Sequence, residues 1–60
     1  MSAKDMAKMI GKAGQLDVNG MTFLVEIVDV RERWGKVDYL VTPKAGHGQA
    51  WKSDDSVRTN

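Results

Sequence analysis

A run of β-branched and aromatic residues at positions 21–31 most constrains the fold of this chain. It reads MTFLVEIVDVR, a composition typical of a β-strand. Phe23, Val25 and Ile27 alternate onto one face, whereas Val28 and Val30 fall on the other. An apolar face that switches midway predicts a strand that bends within a small closed sheet, often through a β-bulge. A strand covered on both faces, one of them by an N-terminal helix, is the alternative.

Three further strands are predicted after this run, separated by turn residues. The first has a clean alternation of Val37, Tyr39 and Val41, and Pro43 ends it. The other two are shorter and are separated by Ser-Asp-Asp-Ser, which favours one helical or 3₁₀ turn. The three predicted strands are 36–42, 49–52 and 58–60. Several short strands in so few residues favour a barrel or a compact meander.

A short helix is predicted before the strands, over residues 2–13. Ser2 can cap it, Asp5 follows three residues later as in a capping box, and Gly14 is a natural stop. An apolar stripe recurs at helical spacing. It consists of Met6, Met9, Ile10 and Ala13. So short a helix must dock this stripe on another surface to persist in water.

The order of these predicted elements resembles that of the SH3-like small barrels, which include the Tudor and KOW modules. The residues that carry the resemblance are Asn19-Gly20-Met21, Gly35-Lys36-Val37, Gly48-Gln49-Ala50-Trp51 and Val57-Arg58. The resemblance implies a mainly β fold, a barrel of about five short strands over residues 20–60 with the helix 2–13 added. It is a likeness of topology, so no ligand-binding residues carry over from the family.

Composition excludes several classes of protein. The chain has 60 residues, which suit one domain spanning 1–60. It has no cysteine, which argues against a disulfide scaffold or a zinc ribbon. No apolar run approaches the roughly 18 residues of a membrane span, and the first residues lack the apolar stretch of a secretory signal. We therefore expect a cytoplasmic protein with no membrane contact, metal or cofactor.

Trp34 is the strongest candidate for contact with a partner. It lies between Arg33 and Gly35 in a charged loop, where a tryptophan contributes nothing to solubility and is expected to be covered. A partner is one possible cover, and the body of the protein, with Trp34 as a lid, is the other. The predicted partner-binding residues are Arg31, Arg33, Trp34 and Lys36, joined by Tyr39 and Trp51 if the three rings converge.

Two of those rings, together with Phe23, also have a simpler interpretation. Phe23 and Tyr39 occupy alternating strand positions and are expected in the core or at its edge. Trp51 alternates with Ala50 and Lys52, which favours core filling.

Charge and the single histidine argue against two other functions. Residues 21–45 carry four basic and four acidic side chains, whereas nucleic-acid binding needs clustered cations. The predicted helix carries one cationic stripe, consisting of Lys4, Lys8 and Lys12. His47 lies between two glycines, where the fixed geometry of a general base is not expected. No catalytic residues are predicted.

The sequence therefore predicts a non-enzymatic module that recognises a protein partner. The first alternative is a structural subunit that forms homo-oligomers through the Met6, Met9 and Ile10 face and a strand edge. The small size of this chain and its lack of cysteine resemble those of accessory proteins of bacteriophages and mobile elements, which are one form that such a subunit could take. The second alternative is a nucleic-acid-binding small barrel.

Overall fold

The computed structural model describes residues 3–59 of the chain. Within this range the protein has five β-strands, one short α-helix and one 3₁₀ turn, so the predicted mainly β class is confirmed. In chain order the elements are α1 (Ala3–Met9), β1 (Ala13–Val18), β2 (Met21–Arg33), β3 (Lys36–Pro43), β4 (Ala50–Ser53), the 3₁₀ turn (Asp54–Ser56) and β5 (Val57–Thr59). The predicted cap Ser2 and the last predicted strand residue, Asn60, lie outside the described residues.

All five strands form one antiparallel sheet, in the order β4-β3-β2-β1-β5. The sheet is open, because no pairing within residues 3–59 joins the edge strands β4 and β5. The predicted closure into a barrel is therefore not seen in the hydrogen-bonded strand pairs.

The helix is shorter than predicted and ends at Met9 rather than at residue 13. Gly11 has a φ of 91°, which leaves the helical region. Its N–H donates to the Ile27 carbonyl at 2.7 Å, and the Ile27 N–H donates to the Lys12 carbonyl at 2.9 Å. Pairing with β2 thus takes the chain out of the helix, so Lys12 cannot share a helical face with Lys4 and Lys8.

At seven residues, α1 lacks the length to cross a bilayer, and no described helix is long and apolar enough to do so.

The strand β1 was not predicted. It begins at Ala13, the last residue of the predicted helix. Gly14, expected as a helix stop, lies within β1 opposite Thr59 of β5. A Cβ atom on Gly14 would lie 2.9 Å from Cγ1 of Val57, so the glycine permits the close approach of β5. Asn19 and Gly20, with φ values of 51° and 80°, then connect β1 to β2. Two central residues with positive φ are the mark of a type I′ hairpin turn.

The predicted bulge in the long strand β2 is confirmed. The register against β3 shifts between Ile27 and Asp29, and Val28 is the extra residue. Because of this shift Val25, Ile27 and Val30 are all buried on one face of the sheet. The Val30 N–H donates to the carboxylate of Asp29 at 2.8 Å, which satisfies a backbone group at the irregularity.

The core lies on one face of the sheet, called here the core face. Its buried residues are Leu16, Val25, Ile27, Val30, Tyr39, Val41 and Val57. Met6 and Met9 of α1 pack against them, whereas Ile10 of the predicted stripe is 49% exposed and Ala13 lies in β1. Tyr39 is in the core as expected, with 6% of its surface exposed. Phe23 is not, since 43% of it is exposed. It pairs with Leu16 near the end of the β1–β2 hairpin and borders an open groove.

Candidate partner-binding surface

Trp34 lies at the tip of the β2–β3 hairpin. Arg33 pairs with Lys36, so Trp34 and Gly35 form a two-residue turn. Their φ values are 56° and 78°, both positive as in a type I′ turn. The indole is 95% exposed. Trp34 therefore does not fold back as a lid on the protein. Its indole is at the surface, where a partner can reach it.

The two hairpin turns have nearly the same geometry but different residues. At the first turn position Asn19 has a φ of 51° and Trp34 has a φ of 56°. Asparagine adopts this left-handed region readily, whereas most residues with a Cβ avoid it at a cost of about 1–2 kcal/mol. The β2–β3 turn thus carries a residue that is unfavourable for its backbone conformation.

Arg31 and Trp51 meet on the face of the sheet opposite the core, called here the outer face. The guanidinium carbon of Arg31 lies 4.1 Å from the centroid of the Trp51 ring, within cation–π distance. The Arg31 Nε donates to Oδ2 of Asp38 at 3.0 Å, and both side chains are partly buried. The Arg31 side chain is therefore held by β3 and β4 together.

Arg33 shares the outer face with Arg31, because side chains two residues apart along a strand point the same way. Lys36 of β3 is the cross-strand partner of Arg33 and lies on the same face. Both are exposed. Neither makes an ion pair with a carboxylate in the part of the chain that the structure describes. We call this set the aromatic–basic surface; its residues are Arg31, Arg33, Trp34, Lys36 and Trp51.

Tyr39 does not join this surface, although it was among the predicted binding residues. Alternation along β3 turns its ring to the core face, and Trp51 of β4 lies half-buried on the outer face. Burial and, to a smaller extent, the negative charge of Asp54 raise the pKa of the Tyr39 hydroxyl above 10.0. Convergence of Trp34, Tyr39 and Trp51 on one face, the condition for adding Tyr39 to the binding residues, is therefore not met.

A groove on the core face was missed at the level of the sequence. It has a volume of about 340 Å³ and lies at the end of β3 away from Trp34. Its lining includes Leu16, Phe23, Val25, Val41, Pro43 and Ala50. His47, expected as an exposed turn residue without a role, lies at this groove. One sequence signal could have indicated this groove. Apolar residues alternate along β2 from Val25 back through Phe23 to Met21, which extends the apolar face past the last core residue.

No group of three or more potential metal ligands occurs within residues 3–59. No family model, curated protein or solved structure matches this chain. Function is therefore inferred from the aromatic–basic surface and the groove themselves.

Proposed function

We propose that the protein is a small non-enzymatic binding module that recognises a protein partner through the aromatic–basic surface. The observation that carries the proposal is the state of Trp34, which is 95% exposed and in a left-handed backbone conformation. Asn19 adopts the same left-handed conformation in the other hairpin turn. The turn therefore does not require a tryptophan at position 34. Contact of the indole with a partner explains why it stands there.

The rest of the surface has the features of a binding site for a protein. Trp and Arg are the residues most enriched among interface hot spots. Arg31 is held in place by Trp51 and Asp38, so little side-chain freedom remains to be lost on binding. Arg33 and Lys36 flank Trp34 with cations that the described chain leaves unpaired. Such a surface favours a partner with an apolar or aromatic centre and nearby carboxylates.

The experiment is a pull-down that compares the wild type with Trp34→Ala and Trp34→Asn. The asparagine variant removes the indole but supplies a residue preferred at the first position of a type I′ turn. Loss of a partner in this variant therefore cannot be assigned to loss of the fold. Leu24→Ala is the matched control, because Leu24 is also exposed and apolar but lies far along β2 from the turn. Unchanged partners in both Trp34 variants would refute the proposal.

For the fold we propose a variant of the SH3-like small barrel. Support comes from the long bulged strand β2, the tight β2–β3 hairpin, the short strand that carries Trp51, and the 3₁₀ turn before β5. These are the elements through which the sequence resembles that family. Nuclear Overhauser contacts between backbone protons of β4 and β5 in solution would test whether the sheet closes further.

A structural subunit that forms homo-oligomers is the second candidate, and the open sheet favours it. The edges of β4 and β5 are free to pair with strands of other copies. Of the predicted Met6, Met9 and Ile10 face, Met6 and Met9 pack on the chain's own core, and Ile10 remains exposed. Sedimentation at several concentrations separates the candidates, because a stable oligomer that survives Trp34→Asn would favour assembly.

A further inference from the structure

The groove on the core face is continuous with an apolar surface that the fold leaves uncovered. Val18 and Met21 pair next to Leu16 and Phe23 at the end of the β1–β2 hairpin, and alternation places all four on the core face. Leu16 is buried, but Val18, Met21 and Phe23 are exposed, Met21 to 60%. Contiguous apolar residues of this kind mark contact sites more often than isolated ones do.

The size of the groove suits one large side chain. Its volume of about 340 Å³ lies at the lower end of the range for ligand pockets, about 300–1,000 Å³. Val25 of β2 and Pro43 of β3 are cross-strand partners, so together with Phe23 and Val41 they form an apolar floor of the groove. A leucine or phenylalanine side chain lying on this floor would be removed from water on one face.

The charge of the groove is positive on one side. Lys52 is the charged residue in its lining, and no lining residue is acidic. Lys52 makes no ion pair with a carboxylate anywhere in residues 3–59. Asp17 alternates onto the outer face, where it pairs with Arg58 at 3.0 Å. Asp54, the next carboxylate along the chain from Lys52, does not line the groove.

A second copy of the chain is a poor occupant for electrostatic reasons. The exposed indole of Trp34 is the projecting apolar side chain that a copy would offer. It is flanked by Arg33 and Lys36, which would meet Lys52 of the groove with charges of the same sign. Like charges brought together in this way oppose docking. A partner with carboxylates next to its apolar side chain has the complementary pattern.

We propose that this groove binds an acidic peptide segment of a protein partner, with one large apolar side chain in the groove and neighbouring carboxylates near Lys52. The apolar side chain supplies burial, and the carboxylates supply orientation and discrimination. The site lies on the opposite face of the sheet from Arg31 and Trp51. It is thus a second contact surface and does not depend on the aromatic–basic surface.

The test is a nuclear magnetic resonance titration of the ¹⁵N-labelled full chain with a short probe. The probe is an acetylated, amidated pentapeptide with a central phenylalanine between two pairs of glutamates. We expect saturable shifts of backbone amides in β4 and around Phe23 and Val41 that persist in Trp34→Asn, so binding at the groove is distinguished from binding at the aromatic–basic surface. Replacing the central phenylalanine by glycine, or the glutamates by lysines, should weaken binding at least tenfold.

Matched charge reversals locate the site. Lys52→Glu should weaken binding of the glutamate-rich peptide at least tenfold, whereas Lys8→Glu, at an exposed position of α1 outside the groove lining, should leave it within twofold. Ala50→Leu, which narrows the groove from an exposed position on β4, should weaken it as well and provides the test if Lys52→Glu does not fold.

Three outcomes would overturn the proposal: no saturable shifts in the wild type, shifts confined to the outer face, or equal weakening by Lys8→Glu and Lys52→Glu. The pull-down with the Trp34 variants tests the aromatic–basic surface separately.

Discussion

The guanidinium of Arg31 on β2 stacks on the ring of Trp51 on β4, with 4.1 Å between the guanidinium carbon and the ring centroid. The strand between them, β3, supplies Asp38, which accepts a hydrogen bond from Arg31 Nε at 3.0 Å. One cation therefore links three neighbouring strands on the outer face. Because β4 is short and pairs only with β3 in the described sheet, this link also helps to hold the edge of the sheet.

The Arg31–Trp51 contact predicts a measurable coupling energy. A double-mutant cycle with Arg31→Ala and Trp51→Ala should give a coupling of about 0.5–1 kcal/mol, the range for partly exposed cation–π pairs. Urea unfolding followed by circular dichroism measures the four free energies. Arg33→Ala is the control, because Arg33 is on the same face without an ion pair in residues 3–59. Its cycle with Trp51→Ala should give a coupling near zero. Equal coupling in both cycles would contradict the stacked geometry.

The conformation of Trp34 predicts a stabilising substitution. Trp34→Asn should raise the free energy of unfolding by about 1 kcal/mol, because asparagine tolerates the left-handed region that the turn requires. The same variant is expected to lose the partner, a trade between stability and function that is common at binding sites. The reverse change in the matched hairpin, Asn19→Trp, should lower the free energy of unfolding by a similar amount. If both substitutions are neutral, the turn does not disfavour tryptophan.

Gly14 predicts a steric requirement between β1 and β5. An alanine there would place its Cβ 2.9 Å from Val57 Cγ1 and 3.1 Å from the Arg58 carbonyl oxygen. Displacement of β5 should lower the free energy of unfolding by about 1–3 kcal/mol, as overpacking usually does. Gln15→Ala, at the next and exposed position of β1, should change it by less than about 0.5 kcal/mol. Equal effects of the two changes would show that β5 can move away freely.

Local patterns in the sequence predicted much of β2 and β3. The switch of apolar positions after Ile27 indicated the bulge, and the alternation around Tyr39 indicated its burial. These features depend on residues close together in the chain, so period and composition suffice to find them. For Trp34 the charged neighbours left two positions open, at the surface or folded back as a lid, and only the structure decides between them.

The features that sequence reasoning missed depend on contacts between distant parts of the chain. The helical stripe continued through Ile10, but pairing of Gly11 and Lys12 with Ile27 ends the helix early. The identity of β1 depends on Gly14 meeting Val57, which no local pattern reveals, although Asn19-Gly20 is a hairpin signal that was available. The Arg31–Trp51 contact and the groove likewise arise only when the strand order is known.

Tyr39 predicts how stability changes in alkaline solution. Burial first, and then the charge of Asp54, raise the pKa of its hydroxyl above 10.0. The folded state therefore holds this proton more tightly than the unfolded state does. Its contribution to the free energy of unfolding is fully present below about pH 10 and is lost as the pH rises from there through the folded pKa.

Because Tyr39 is the only tyrosine in the chain, the absorbance of phenolate reports its titration directly. The folded protein should titrate at higher pH than the same chain in urea. In Tyr39→Phe, the free energy of unfolding should fall less steeply above pH 10 than in the wild type, since lysine titration is common to both. Asp54→Asn should shift the phenol titration back toward the ordinary value, because it removes the negative charge but leaves the ring buried. Parallel pH profiles for the wild type and Tyr39→Phe would show that the hydroxyl is as well solvated in the fold as in the unfolded chain.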